Sequence, residues 1–117
     1  MLIRPATRDD IEAFSDIPNK PSMRAWVGEV DGRIVGLAGF VFSQGRWLGF
    51  CDLTEEARKY KMTLARAAKR VIAQARMDGI RFIYTESDPT EPTSVRWLTS
   101  LGFTVDPRTA YLYRWKA

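Results

Sequence analysis

Three basic residues lie where the chain passes from an apolar segment into a long segment with helical periodicity. Arg58, Lys59 and Lys61 follow the apolar residues 47–51 and precede apolar residues that recur at helical spacing. Those recurring residues are Leu64, Ala68, Val71, Ile72 and Ala75. Positive charge near the first turns of a helix is unfavourable by roughly 0.3–1 kcal/mol per residue, because the macrodipole is positive there. The arrangement predicts an anion-binding site at this junction; the alternative is a solvated basic face of the helix.

The sequence has no histidine and a single cysteine, Cys51. Without histidine, neither a Ser-His nor a Cys-His nucleophile can be assembled. One cysteine without histidine also cannot complete the usual shell of a zinc ion, so no metal site is predicted. Cys51 lies in an apolar run and has no second cysteine to pair with, which predicts a packed thiol in a protein of a reducing compartment.

Composition limits the class of protein and its partners. With 117 residues, the chain has the length of one domain, which we expect to span residues 1–117. Eighteen Lys and Arg residues against fourteen Asp and Glu residues give a formal net charge of +4, which favours anionic partners without identifying them. The longest uncharged segment, residues 34–45, is shorter than the roughly 20 residues that cross a bilayer, and residues 1–5 lack a secretory pattern. We therefore expect a cytoplasmic protein without a membrane partner.

Turn and capping signals divide the chain into strands and helices. Thr7 is a candidate N-cap of a first helix, which must end by Pro18. Asp31-Gly32 predicts a two-residue hairpin turn. The predicted strands are residues 2–6, 23–30, 33–42, 46–53, 80–85, 103–105 and 110–115, and the later helices run up to Gly79 and from about Pro92 to Gly102. This order predicts an α/β fold, a mixed sheet of six to seven strands with helices on both faces.

Two of the predicted strands carry further information. Residues 33–42 are apolar at both parities, which predicts a strand in the centre of the sheet with both faces covered by helices. Gly49, within the strand at residues 46–53, predicts a bulge or a close approach of a ligand to the backbone. The alternative is that Gly49 makes room for Trp26 or Trp47.

Three segments resemble the GNAT acetyltransferase superfamily in order and spacing. Residues 3–11, Ile-Arg-Pro-Ala-Thr-Arg-Asp-Asp-Ile, are similar to the family's first strand and helix. Residues 27–36, Val-Gly-Glu-Val-Asp-Gly-Arg-Ile-Val-Gly, are similar to its central hairpin, and residues 97–103, Trp-Leu-Thr-Ser-Leu-Gly-Phe, to its helix that ends in Leu-Gly-Phe. The resemblance implies the GNAT fold, binding of acetyl-CoA between the strands at residues 46–53 and 80–85, and transfer of the acetyl group to a primary amine.

The resemblance assigns the pyrophosphate of acetyl-CoA to the start of the long helix. The family motif is Arg or Gln, two residues, Gly, one residue, then Gly or Ala; residues 58–63 align with it, with Lys61 and Thr63 in place of the glycines. In one interpretation backbone N–H groups still bind the phosphates and the cations add charge-assisted contacts. In the other, a regular helix begins at Thr54 and the cations are solvated. The residues assigned to the cofactor are Leu53, Arg58, Lys59, Tyr60, Lys61, Met62 and Thr63.

The resemblance also implies an acid and a base. Many members of the family have a tyrosine in the last helix as general acid for the leaving thiolate; this chain has Leu98 there, so Tyr84, Tyr60 or water would act instead. Asp52 and Glu86, at the ends of the two strands that flank the cofactor, are the candidate bases. The alternative for each is an ordinary surface carboxylate.

The acceptor and the rival functions follow from the same residues. The short connection at residues 17–23 predicts an open acceptor side, which favours a bulky amine acceptor such as a protein.

A rival interpretation is a catalytically inactive module, for example a small viral accessory protein, because Lys61, Thr63 and Leu98 replace residues that the chemistry uses. Nucleic-acid binding through the basic helix is not expected, because Tyr60 alone offers an aromatic ring beside the cations. A homodimer is left open.

Overall fold

The computed structural model describes residues 1–14, 22–86 and 94–117. Within these residues, the order of strands and helices predicted from the sequence is confirmed. The strands are β1 (Leu2–Pro5), β2 (Arg24–Val30), β3 (Arg33–Ser43), β4 (Arg46–Leu53), β5 (Phe82–Glu86), β6 (Phe103–Asp106) and β7 (Thr109–Lys116). The helices are α1 (Arg8–Phe14), α2 (Lys61–Met77) and α3 (Ser94–Ser100), and a 3₁₀ turn, Ala57–Lys59, precedes α2.

The strands form one seven-stranded sheet in the order β1-β2-β3-β4-β5-β7-β6. Neighbouring strands are antiparallel except β4 and β5, which are parallel. As predicted, β3 lies inside the sheet with both faces covered. Leu37 belongs to a buried cluster with Ile11 of α1 on one face, and Phe40 belongs to a buried cluster with Ala75 of α2 and Leu98 of α3 on the other. The mixed sheet with helices on both faces is therefore confirmed.

The ends of two elements are set by residues with positive φ. Asp31 (φ 50°) and Gly32 (φ 77°) form the predicted hairpin turn between β2 and β3. After α2, Gly79 has φ 77° and donates its N–H to the carbonyl of Arg76 at 3.1 Å, while Ile80 donates to the carbonyl of Ala75 at 3.0 Å. These two bonds satisfy carbonyls at the end of α2. Because this closure uses Ile80, β5 begins later than predicted.

Parts of the predicted pattern lie outside the described residues. They include the helix end at Pro18, most of the connection at residues 17–23 and the helix start near Pro92. At its other end α3 is followed by Gly102, which has φ 94° and closes the helix as predicted. No helix in the described ranges is both long enough and apolar enough to cross a membrane.

A partly buried network of ion pairs joins α1 to β1 and β2. Thr7 Oγ1 accepts a hydrogen bond from the backbone N–H of Asp10 at 3.2 Å, and Asp10 Oδ2 accepts one from the N–H of Thr7 at 2.8 Å, which confirms Thr7 as the N-cap. Arg4 then donates to Asp10 and to Glu29, each at 2.7 Å. The hydrogen bond from Arg4, followed by the one from Thr7, holds the pKa of Asp10 well below its ordinary value.

The lowered pKa of Asp10 predicts a loss of stability in acid. A carboxyl group whose pKa is lower in the folded chain stabilises the fold above its unfolded pKa of about 3.9, and this contribution disappears as the pH falls further. We expect an Asp10→Asn variant to have a lower free energy of unfolding than the parent at pH 7, with the difference shrinking steadily below about pH 4. Urea unfolding between pH 7 and pH 2.5 measures it.

The exposed neighbour Asp9 offers a matched control, because it loses the same charge in an Asp9→Asn variant without contacting Arg4 in the described structure. A difference between parent and Asp10→Asn that does not change with pH would contradict the role given to the Arg4–Asp10 pair.

Candidate functional site

The two parallel strands β4 and β5 meet at one residue pair, Leu48 and Tyr84, and the described residues form no further pair between them. β4 continues to Leu53 and remains paired with β3 along its whole length, while β5 continues to Glu86. Beyond Leu48, the edge of β4 that faces β5 therefore has no strand partner. We call the opening between the carboxyl ends of β4 and β5 the notch. Ligands of α/β sheets commonly bind at the carboxyl ends of such strands.

An apolar cavity of about 80 Å³ lies beneath the notch, between the sheet and the helices α2 and α3. Ala68 and Val71 of α2 and Trp97 of α3 contribute to its walls, as does Leu98, and Thr85 of β5 borders it. A second apolar cavity, of about 50 Å³, lies between α2 and the strands β2, β3 and β4. Because the lining is mostly apolar, this space suits an alkyl chain better than a charged group.

Gly49 and Cys51 differ from what the sequence predicts. The β3–β4 register runs through Gly49 without a shift, so there is no bulge. A Cβ at Gly49 would lie 3.0 Å from Ile83 Cγ2, so the glycine makes room for β5 rather than for Trp26 or Trp47. Cys51 is exposed rather than fully packed, because it lines the two apolar cavities that open below the notch. The protein around it nevertheless raises its pKa to about 11, chiefly by desolvation, so the thiol is protonated at neutral pH and a poor nucleophile.

The segment between β4 and α2 is not a continuous helix. After the 3₁₀ turn Ala57–Lys59, Tyr60 departs from helical geometry with φ −97° and ψ 55°, and α2 begins at Lys61. The interpretation of a regular helix from Thr54 is therefore wrong. The first α2 residue to bond back toward this segment is Leu64, whose N–H donates to the carbonyl of Tyr60 at 2.9 Å. The three preceding N–H groups of α2 have no partner in the described structure, as is usual for the first turn of a helix.

Contacts with β3 hold this segment in place. Glu56 accepts two hydrogen bonds from Arg33, at 2.9 and 2.8 Å, which lower the pKa of Glu56. Thr54 Oγ1 donates to the carbonyl of Val35 at 3.0 Å and accepts from the N–H of Ala57 at 3.3 Å. The start of α2 is therefore positioned relative to the notch by contacts with Arg33 and Val35 of β3.

The residues that the sequence assigns to a cofactor lie along this segment. Leu53 ends β4 and is half-buried, and the remaining residues belong to the 3₁₀ turn, to Tyr60 or to the first turn of α2. Lys61 is exposed, and so is Met62. The helix contains no acidic residue, and its outer surface carries further exposed cations: Arg66, Lys69, Arg70 and Arg76. Arg58 and Lys59 precede the break at Tyr60, so Lys61 alone of the three cations lies in the first turn of α2.

The three candidate catalytic residues share one face of the sheet. Asp52 has the same parity as Phe50, which packs against the cluster around α1. Tyr84 alternates with Ile83, which is buried against α2 and α3, so Tyr84 faces the α1 side, and Glu86 follows it on that side. Asp52 and Glu86 are both exposed, on the two strands that border the notch. Leu98, by contrast, is buried in the core on the opposite face.

Two arginines near Tyr84 were not predicted. The guanidinium carbon of Arg46 lies 4.7 Å from the centre of the Tyr84 ring, and that of Arg114 lies 5.1 Å from the centre of the Phe82 ring. Arg114 is also the register partner of Tyr84 across β5 and β7. The sequence gives no signal for this arrangement, because it depends on which strand lies beside β5 and in which register.

Comparisons with known proteins were made for sequence and for structure. The sequence matches no protein-family model and no curated protein. The structure is similar to an N-acetyltransferase from Staphylococcus aureus Mu50, with a TM-score of 0.74 and 16% identity over 98% of this chain and 97% of that chain. It is similar to an IAA acetyltransferase from Bacillus cereus ATCC 14579, with a TM-score of 0.72 and 9% identity over 99% of each chain.

A third similar structure is a GNAT family acetyltransferase from Elizabethkingia anophelis with acetyl-CoA bound, with a TM-score of 0.70 and 12% identity over 99% of this chain and 97% of that chain. These similarities cover almost the entire chain while the identities are low, so they establish the architecture. The chain has the GNAT fold, and the fold implied by the sequence resemblance is confirmed.

Proposed function

We propose that this protein is an N-acetyltransferase that uses acetyl-CoA and acts on a primary amine. The observation that carries the proposal is the notch, whose open β4 edge leads to a helix start with three available N–H groups. Backbone N–H groups of this kind bind phosphate, and the macrodipole of α2 adds to the attraction. The apolar cavity below the notch, bordered by Cys51 and Thr85, fits the apolar part of a pantetheine arm. The bound acetyl-CoA in one structural neighbour supports the same ligand.

The chain would contribute binding, orientation and proton transfer. Acetyl-CoA supplies an activated thioester. The free edge of β4 beyond Leu48 offers backbone N–H groups that can polarise a thioester carbonyl, and fixed geometry lowers the entropic cost of the encounter with the amine. Asp52 or Glu86 would accept the proton of the attacking amine, and Tyr84 Oη would donate a proton to the departing sulfur.

The acceptor side of the notch favours an accessible amine. The face of β5 and β7 that carries Tyr84 and Arg114 is covered by no helix of the described chain, since α1 packs over Val27 and Leu37 instead. An amine on a peptide or protein could reach Tyr84 from this side. The chain's own residues therefore support a primary amine at an accessible position as the acceptor.

Calorimetric titration with acetyl-CoA tests the proposed cofactor. We expect the parent to bind and a Lys61→Glu variant to bind roughly ten- to a hundredfold more weakly, because a charge-assisted contact is replaced by repulsion of the pyrophosphate. Lys69→Glu is the matched control: it makes the same charge change on the same helix, about 12 Å further along and beyond the Debye length of about 8 Å in physiological salt. No binding by the parent would refute the proposal and leave the binding-module interpretation.

Steady-state kinetics with a panel of primary amines test the proposed acid. We expect Tyr84→Phe to lower kcat about a hundredfold, because proton donation to the leaving thiolate is lost, with no change in the Kd for acetyl-CoA. Tyr60→Phe removes the hydroxyl of the other candidate tyrosine and should retain parental kcat. If Tyr60→Phe lost activity and Tyr84→Phe did not, the acid would be assigned to the wrong residue.

A further inference from the structure

Tyr84 stands between two arginines on the face of the sheet that carries the candidate catalytic residues. Arg46 stacks over the ring of Tyr84 from β4, and Arg114 is the register partner of Tyr84 on β7. Register partners across antiparallel strands present their side chains on the same face. Both guanidinium groups therefore lie on the acceptor side, that of Arg46 over the ring of Tyr84 and that of Arg114 over the ring of Phe82.

Neither of these arginines forms an ion pair with a carboxylate among the described residues, although Asp106, which is paired with Arg108, lies close enough to Arg114 to interact with its charge. Other described arginines are paired with an acid: Arg4 with Asp10 and Glu29, Arg8 with Glu12, Arg24 with Asp78, Arg33 with Glu56, and Arg108 with Asp106. Arg46 and Arg114 instead lie over aromatic rings, as Arg76 does over Trp115, and a guanidinium stacked on a ring keeps its in-plane N–H donors for other partners. A guanidinium edge of this kind matches the two oxygens of a carboxylate.

The position of the pair relates it to the proposed reaction. Leu48 and Tyr84 form the closed end of the notch, where β4 and β5 are still paired. Arg46 precedes Leu48 on β4, and the exposed carboxylates Asp52 and Glu86 lie toward the open end. Positive and negative groups are thus separated along the acceptor face, with Tyr84 between them. A ligand with both an amine and a carboxylate complements this separation.

We propose that Arg46 and Arg114 form a subsite for a carboxylate of the acceptor, so that the enzyme selects amines that also carry a carboxylate. This inference rests on the proposed function and names the acceptor class. A polyamine, which carries only positive charge, is repelled by the two guanidinium groups.

Matched acceptor pairs test the subsite. The first pair is γ-aminobutyrate and 4-aminobutanamide, which differ in the carboxylate alone; the second is a short peptide with glutamate or with glutamine at its second position. We expect the parent to prefer the carboxylate member of at least one pair by at least about tenfold in kcat/KM, because hydrogen bonds between two charged groups are stronger than those to a neutral amide. The pair that shows the preference distinguishes a small amino acid from a peptide acceptor.

The Arg46→Gln/Arg114→Gln double variant should reduce this preference to about one. Arg81→Gln, at an exposed arginine just before β5, is the control and should keep the parental preference. An Arg46→Lys/Arg114→Lys variant should recover part of it, because the charges return without the planar fork. Thermal unfolding of each variant shows whether the substitutions destabilise the fold. A parent that acetylates both members of each pair equally well overturns the subsite and leaves the acetyltransferase proposal intact.

Binding without catalysis separates the two proposals. Arginine side-chain Nε–Hε resonances of the parent should shift on addition of γ-aminobutyrate and not of 4-aminobutanamide, with the shifts lost in the double glutamine variant and kept in Arg81→Gln. If acetyl-CoA does not bind but these shifts occur, the proposed function fails and the carboxylate site stands. If acetyl-CoA binds and turnover occurs while no arginine resonance responds to the carboxylate, the subsite is refuted.

Discussion

The geometry of this protein depends on the parallel contact between β4 and β5. Parallel neighbours cannot be joined by a hairpin, so the chain must leave the end of β4, cross one face of the sheet as α2 and return to the start of β5. This crossover puts the first turn of α2 beside the carboxyl end of β4. The strands pair at Leu48 and Tyr84 and then part, so the free edge of β4 and the free N–H groups of α2 face the same opening. The topology thus brings a strand edge without a partner and the start of a helix to the same opening in the described part of the sheet.

Strand alternation divides the residues around the notch between the two faces of the sheet. One parity of β4 and β5, with Gly49, Cys51 and Ile83, faces α2 and α3 and borders the apolar cavity. The other parity, with Asp52 and Tyr84, faces the side of the sheet on which α1 lies, and among the described helices none covers Tyr84 there. Apolar and polar chemistry are therefore separated by the thickness of one sheet. Because the period of a strand is two, a shift of one residue in β4 would exchange these roles completely.

Features that depend on neighbouring residues could be predicted from the sequence, whereas features that depend on contacts between distant segments could not. The hairpin at Asp31, the cap at Thr7 and the central strand β3 depend on turn chemistry, capping and apolar parity, which are local. The helix is interrupted at Tyr60, after a segment that is held to β3 by hydrogen bonds between Arg33 and Glu56 and between Thr54 and Val35. No local sequence pattern predicts these contacts. The exposure of Cys51 also depends on distant contacts. Its apolar run predicts burial, but β5 is no longer paired with β4 at this residue. The candidate site residues at the end of β4 could be placed together from the sequence. The arginines near Tyr84 could not, because their proximity depends on the strand neighbours β4 and β7 of β5 and on the registers between them.

The break at Tyr60 also changes the meaning of the residues that replace glycine at the start of α2. If a regular helix ran from Thr54, Lys61 would be an interior residue and no amide there could meet a phosphate. Because α2 starts at Lys61, its first amides are free, and the Cα–Cβ bonds of the first turn tilt toward the helix N-terminus. The side chain of Lys61 can therefore lean over an anion that these amides bind along the helix axis. Glycine is required where a phosphate approaches the backbone from the side, whereas an axial approach tolerates side chains and gains a charge from Lys61. The substitution of lysine for glycine is thus compatible with anion binding, provided that the ligand meets the helix end-on.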